Sequence, residues 1–182
     1  LTLTRWSGGV QWDMFDMAGG TAAIYLGAEY YEIKYQALVD AQSEAGLVGG
    51  SAGNSAEGYR DVTAYMVETV FPVLDWMEIS AAFRADDYSD FGNATSPRVG
   101  INIAIPGYEQ LRLRASWGEG FRAPDLSDLY GATSFSASGG TDFWGCEQNN
   151  QSPCPSRQFD TYIGSNPNLD AEESESLSFG AD

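Results

Sequence analysis

The sequence predicts an all-β chain: an antiparallel up-and-down meander of about seven strands, part of a large transmembrane β-barrel. Three observations lead there. Side-chain polarity alternates with a period of two almost everywhere. The connections alternate between short and long along the chain. Aromatic residues gather near the ends of the alternating runs. Composition agrees, because 21 glycines and an aromatic share of 13% in 182 residues suit many turns and many pleated segments.

The clearest strands are 77–86, 99–105 and 111–117, where odd positions are apolar and even positions small, polar or charged. Longer runs cover 21–39 and 59–73. In the second the parity is mixed, since Val62, Ala64 and Met66 compete with Tyr65, Val67 and Phe71. A weaker strand fits 10–17 and a last one 174–181, and helical spacing supports no helix. Turns at 18–20, 72–76 and 106–110 are tight. Stretches 42–58, 87–97 and 121–173 read as long polar loops rich in Gly, Ser, Asn and Asp. In a meander every second connection lies at the same end, so one end carries turns and the other extended loops, as in outer-membrane barrels. Phe71, Trp76 and Tyr108 lie beside the turns. Tyr30, Tyr31, Tyr35, Tyr59, Tyr88, Phe91 and Phe121 lie toward the loops, as two interfacial girdles require.

A soluble β-sandwich has the same period with the faces reversed, so alternation alone leaves both architectures open. Loop asymmetry and the end-placed aromatics favour the barrel. With odd positions on lipid, Ile79, Ala81, Phe83, Val99, Ile101, Ile103, Ile105, Leu111, Leu113 and Trp117 face outward. Glu78, Ser80, Arg84, Arg98, Asn102, Arg112 and Arg114 then line the lumen. This parity keeps Arg off the lipid face, where it costs about 2–4 kcal/mol at mid-depth.

Several function classes fall away. A formal charge of −17 repels nucleic acid. Histidine is absent, which excludes His-based nucleophile systems and His zinc sites within this segment. No apolar run approaches a transmembrane helix. The start at Leu1 shows no signal peptide and the last residues read as strand, so the chain is expected to be an internal piece of a longer protein. Cys146 and Cys154, the only cysteines, sit in a polar loop and suggest a small disulfide and an oxidising compartment. The run 86–90, DDYSD, does not follow the EF-hand pattern and reads as a strand end entering a hairpin. The acids between 170 and 175 read as a solvated shoulder. No metal or cofactor is expected, and no enzyme, since no carboxylate pair is set apart in an apolar environment.

Three blocks carry a resemblance. LRLRASWGEGFRAPDLSDLYG around residues 112–130, FRADDYSDFGNATSPRV at 83–99 and NPNLDAEESESLSFG at 166–180 are similar, in order and spacing, to the barrel of TonB-dependent outer-membrane receptors. The match runs from about Thr21 to the end, and the cysteine pair falls where many such receptors carry one. The resemblance implies a 22-stranded barrel with a plugged lumen, of which this chain holds about a third. The plug, the TonB box and the closing strand are not in it. It further implies an outer-membrane location and uptake of a scarce substrate such as a ferric siderophore, cobalamin or an oligosaccharide. The inner-membrane TonB complex would be the partner and outer-membrane lipid the surroundings.

The inward arginines either guide an anionic ligand or pair with inward acids such as Glu78, Asp86 and Glu68; pairing is the plainer reading. Phe135, Phe143, Trp144, Phe159 and Tyr162 in the longest loop either pack that loop on itself or line a ligand surface. The rival classes are a secreted or surface β-sandwich that binds glycans and an ordinary porin. The porin lacks a plug and is disfavoured by the loop blocks.

Overall fold

The computed structural model describes all residues except Gly46, Gly49, Gly50 and Glu109, with the side chains of Ser51 and Ala52 also left out. Parts of the expected 42–58 loop and of the 106–110 turn thus lie outside the described residues. The described chain forms two compact units, one of residues 1–34, 59–124 and 169–182, the other of residues 35–58 and 125–168.

The first unit is built on a seven-stranded antiparallel sheet. Its strands are β1 (Thr2–Met17), β2 (Gly20–Ala37), β4 (Ala56–Leu74), β5 (Met77–Tyr88), β6 (Gly92–Ala104), β7 (Arg112–Arg122) and β10 (Glu172–Ala181), hydrogen-bonded in that order. The expected seven-strand meander is present, and as a fragment the sheet does not close. The other elements, β3 (Ser51–Ala52), β8 (Ser134–Thr141), β9 (Ser156–Ile163), α1 (Ala41–Glu44), α2 (Leu126–Tyr130) and α3 (Phe143–Gln148), belong to the second unit.

Register resolves the parity. Across β4, β5, β6, β7 and β10, odd residues oppose odd ones: Thr69, Ala81, Val99, Trp117 and Leu177 form one cross-strand row, and Phe71, Ile79, Ile101, Ala115 and Phe179 the next. The even rows include Glu68, Ala82, Arg98 and Gly118, and Glu78, Asn102, Arg114 and Gly180. One face of these strands is therefore an apolar ladder with charges only toward the loop end, and the other collects the arginines and their acids.

In β1 and β2 the parity is opposite. Trp6, Val10 and Trp12 oppose Tyr30, Leu26 and Ile24. The ion pair of Glu29 with Arg84 puts odd positions of β2 on the same face as even positions of β5. The crowding of Gly27 by Met66 says the same for β4, where a Cβ on Gly27 would come within 2.7 Å of Met66 Cγ. A bulge between Asp13 and Phe15 leaves Met14 unpaired, so Phe15 keeps the side of Trp12 although the count has changed. A second irregularity between Pro72 and Leu74 returns Leu74 opposite Met77, on the apolar side.

The sequence-based boundaries need four corrections. Residues 87–97 are not a long loop: β5 and β6 pair through Tyr88 and Gly92, leaving only 89–91 as the turn. Gly92 makes so short a reversal possible at φ 101°, a conformation other residues avoid. The polar strand beyond it reads as loop because it has no apolar face. Second, β1 begins at Thr2 rather than near Val10, its small and polar start hiding the period. Third, the described residues include three helices, each too short for a 3.6-residue period to show. The stretches 42–58 and 121–173 are also trimmed at their ends, since β4 starts at Ala56, β7 runs to Arg122 and β10 starts at Glu172.

Candidate functional site

On the even face, toward the loop end, lies a charged network. Arg84 is forked over Asp86, with Nε to Oδ1 and Oδ2 at 3.0 and 2.9 Å and Nη2 to Oδ1 at 2.7 Å. Its Nη1 donates to Glu29 Oε2 at 3.2 Å, and Arg5 on β1 also pairs with Glu29. The Glu29 and Asp86 side chains are only 2% and 1% exposed, so both carboxylates depend on these guanidinium groups for their charge balance. Three strands, β1, β2 and β5, place the four side chains on one face, which is why the pairing spans 55 residues of sequence.

A second knot lies at the strand tips. Arg60 donates from Nε to both oxygens of Asp90, at 2.9 and 2.8 Å, and from Nη2 to the Pro124 carbonyl at 2.9 Å. Its guanidinium carbon stands 5.5 Å from each of the Tyr88 and Phe91 ring centres. Nothing in the sequence marked Arg60, because its partners come from two distant segments.

The other candidates on the even face are more loosely held. Asn102 donates to Glu78 at 3.3 Å, and Arg114 pairs with Asp182 at 3.0 Å. Arg98 and Arg112 have no side-chain hydrogen bond or ion pair among the described residues. The structure thus brings Glu78, Asn102, Arg112 and Arg114 onto adjacent positions of one face, places Arg98 further along it and ties Arg84 into the buried network.

In the second unit, β3, β8 and β9 form a three-stranded sheet. Cys146 and Cys154 are joined, closing α3 onto the following turn, and Cys146 is buried. Asp40 caps α1 by accepting from the backbone of Gln42 and Ser43 and from the Ser43 hydroxyl, which holds its carboxyl below the usual range. The Ser55 amide donates to Glu44, with the same effect on that group. Leu126 and Leu129 of α2 are buried, and the Tyr130 ring covers Gly58 at a distance that admits no side chain there.

The aromatics of the long excursion divide. Phe135 and Tyr162 pair, with ring centres 5.4 Å apart, while Phe143 and Trp144 stand 73% and 74% exposed and Phe159 is half-exposed. Replacing both cysteines with Ser should cost the second unit about 2–3 kcal/mol, the loop-closure contribution of a bridge spanning eight positions. Limited proteolysis of the intact protein should then cut faster within 143–156, with the unfolding of the seven-stranded sheet unchanged.

An open antiparallel sheet of long strands in meander order, with one apolar and one charged face, defines a segment of an outer-membrane barrel. The family model described as TonB dependent receptor-like, beta-barrel matches residues 2–182, and the chain belongs to that family of Gram-negative outer-membrane proteins. Among curated proteins, it is 29% identical over 83 residues to the vitamin B12 transporter BtuB of Photobacterium profundum, covering 46% of this chain and 13% of that protein. To the BtuB of Vibrio vulnificus it is 34% identical over 89 residues, covering 49% and 14%.

Among solved structures, the siderophore receptor PirA of Pseudomonas aeruginosa superposes with a TM-score of 0.66 at 22% identity, covering 98% of this chain and 28% of that one. The ferric enterobactin receptor PfeA gives 0.70 at 20% identity, covering 98% and 24%. The matched part is thus a small share of the relatives' length. At this identity the structural likeness speaks for the fold.

Proposed function

We propose that the chain is a wall segment of a receptor that takes up one scarce substrate across the outer membrane: a ferric siderophore, cobalamin or an oligosaccharide. The TonB complex of the inner membrane would supply the pull through a plug outside this segment. No covalent chemistry is assigned to it. The single observation that carries this reading is the division of charge between the two faces. The run 77–85 on β5 meets the roughly 9–11 residues a tilted strand needs to cross the hydrocarbon, and its odd positions carry no charge. Backbone groups in lipid must be paired, which a closed sheet achieves. In this reading the odd face of β4 to β10 touches acyl chains, and Glu78, Arg84, Arg98, Asn102, Arg112 and Arg114 face the lumen.

The printed names of the relatives, a B12 transporter and siderophore receptors, support the substrate classes without choosing among them. Exposed Phe143 and Trp144 suit contact with a bulky substrate at the cell surface. The pairing of Arg84 and Arg114 supports a wall-building role for these arginines over ligand guidance.

The test uses the parent receptor in whole cells, with radiolabelled cobalamin, ferric siderophores and oligosaccharides. Surface binding of one of them should survive a protonophore while its uptake falls to background. Uptake that persists without the proton gradient would refute the energised-transport reading. In the same cells the Arg112→Gln/Arg114→Gln variant should bind with unchanged affinity.

A further inference from the structure

The seven-stranded sheet is cut between β6 and β7 at its loop end. Their ladder stops at Arg98 opposite Gly118, although β5 and β6 stay paired to Gly92 and β7 and β10 stay paired to Arg122. The cause is one residue. The Ile105 amide donates to the Leu111 carbonyl and the Ala104 amide to the Trp76 carbonyl, so odd residues of β6 direct their backbone groups at β7 and even ones at β5. Position 97 is odd and is proline. It has no N–H to offer Glu119, and the pairing ends where the next bond would form. Beyond it a cleft opens, lined by Asn93, Thr95, Glu119, Phe121 and Glu173.

Arg60 spans this gap. Through Asp90 it holds the β5–β6 turn, and through the Pro124 carbonyl it holds the chain leaving β7. Its side chain is 5% exposed and that of Asp90 3%. The Phe121 ring meets the Tyr88 ring edge-on at 5.8 Å. We propose that Pro97 and Arg60 form a latched seam: the proline frees the tip of the β7–β10 pair from the β5–β6 pair, and the Arg60 side chain fastens the two tips together.

Release of the latch lets the β7–β10 tip, from which the 125–168 excursion departs, move without unzipping the ladder below Gly118. The seam also marks the outer water boundary on these strands, because unpaired N–H and C=O groups beside it require water. Trp117 sits one residue below the last pair, with its indole N–H on Glu175 at 2.7 Å, the half-apolar, half-polar setting of an interfacial ring. This boundary assignment rests on the membrane reading above; the latch itself does not.

The experiment uses the full receptor in outer-membrane vesicles, with spin labels on Asn93→Cys and Glu173→Cys, both exposed and on opposite sides of the cleft. Arg60→Ala should broaden and lengthen the inter-label distance distribution. It should also speed amide exchange of the 119–124 segment by about tenfold or more, the effect of losing a hydrogen-bonded charge. Exchange of 99–103 and 113–117 should stay slow. Pro97→Val, which restores the missing N–H, should slow exchange at 93–97 and 119–121 and narrow the distances even with Arg60→Ala present. Arg60→Lys, which keeps the charge, covers the case in which the alanine variant does not assemble, and should show the same changes to a smaller degree.

Distances and exchange in the assembled Arg60 variants that match the parent would overturn the latch. Unaltered fast exchange in Pro97→Val would overturn the proline's part. Heat-modifiable migration of the vesicle protein reports barrel assembly separately, so a failed membrane reading is distinguishable from a failed latch.

Discussion

Ile101→Arg lowers the stability of the membrane-inserted receptor by about 2–4 kcal/mol, the cost of an arginine near the bilayer midplane. Ile101 stands on the apolar ladder between Ile79 of β5 and Ala115 of β7, in the middle of the Arg98–Ala104 stretch that pairs with β7. Ile105→Arg, beside the turn, should cost only about 0–1 kcal/mol, because an interfacial side chain reaches headgroups and water. Asn102→Arg, on the opposite face, should change stability by less than about 0.5 kcal/mol. Urea unfolding of vesicle-inserted receptor measures all three. The gradient with depth is the decisive part: a sandwich core penalises both ladder positions, a bilayer only the deep one. Equal losses at 101 and 105 would reverse the assignment of the faces.

Arg84→Ala carries the other large effect. It strips Asp86 of its forked partner and takes one of two cations from Glu29, leaving carboxylates that are almost wholly shielded from water. Breaking a buried pair on one side costs about 3–5 kcal/mol, chiefly the penalty of the charge left behind. Adding Glu29→Gln and Asp86→Asn to Arg84→Ala should recover most of the loss, since the orphaned charges are then gone. Unfolding midpoints of the single and triple variants decide it, and a triple variant no better than the single one would show that packing, not charge, holds this part of the wall.

Local signals in the sequence reach only as far as local physics does. The faces of β5, β6 and β7 were legible because period-two alternation is a property of each strand alone. The Glu29–Arg84 pair was not, since it joins β2 to β5 across β4 and needs odd positions of one strand to share a face with even positions of the other. Residues 93–97 looked like loop because Asn, Thr, Ser and Pro outside the hydrocarbon have no apolar face to display. The helices of the second unit are single turns fixed by caps such as Asp40 and Asp142, too brief for periodicity. The disulfide was readable from the pair of cysteines. Arg60 was not, because its role comes from two chain segments brought beside it by the fold.

The irregularity in β1 sets a rule for length changes. Trp12, Asp13, Phe15, Asp16 and Met17 alternate regularly once Met14 is skipped, and Asp16 lies where the Thr21 hydroxyl can donate to it. Excising Met14 would straighten the strand and leave every neighbour looking the way it already looks. Excising any other single residue from the middle of β1 would throw one half of the strand out of step, turning tryptophan toward water and aspartate toward oil. In a wall whose two sides have opposite solvents, the spare residue is the one letter that can be dropped without changing the meaning of the rest.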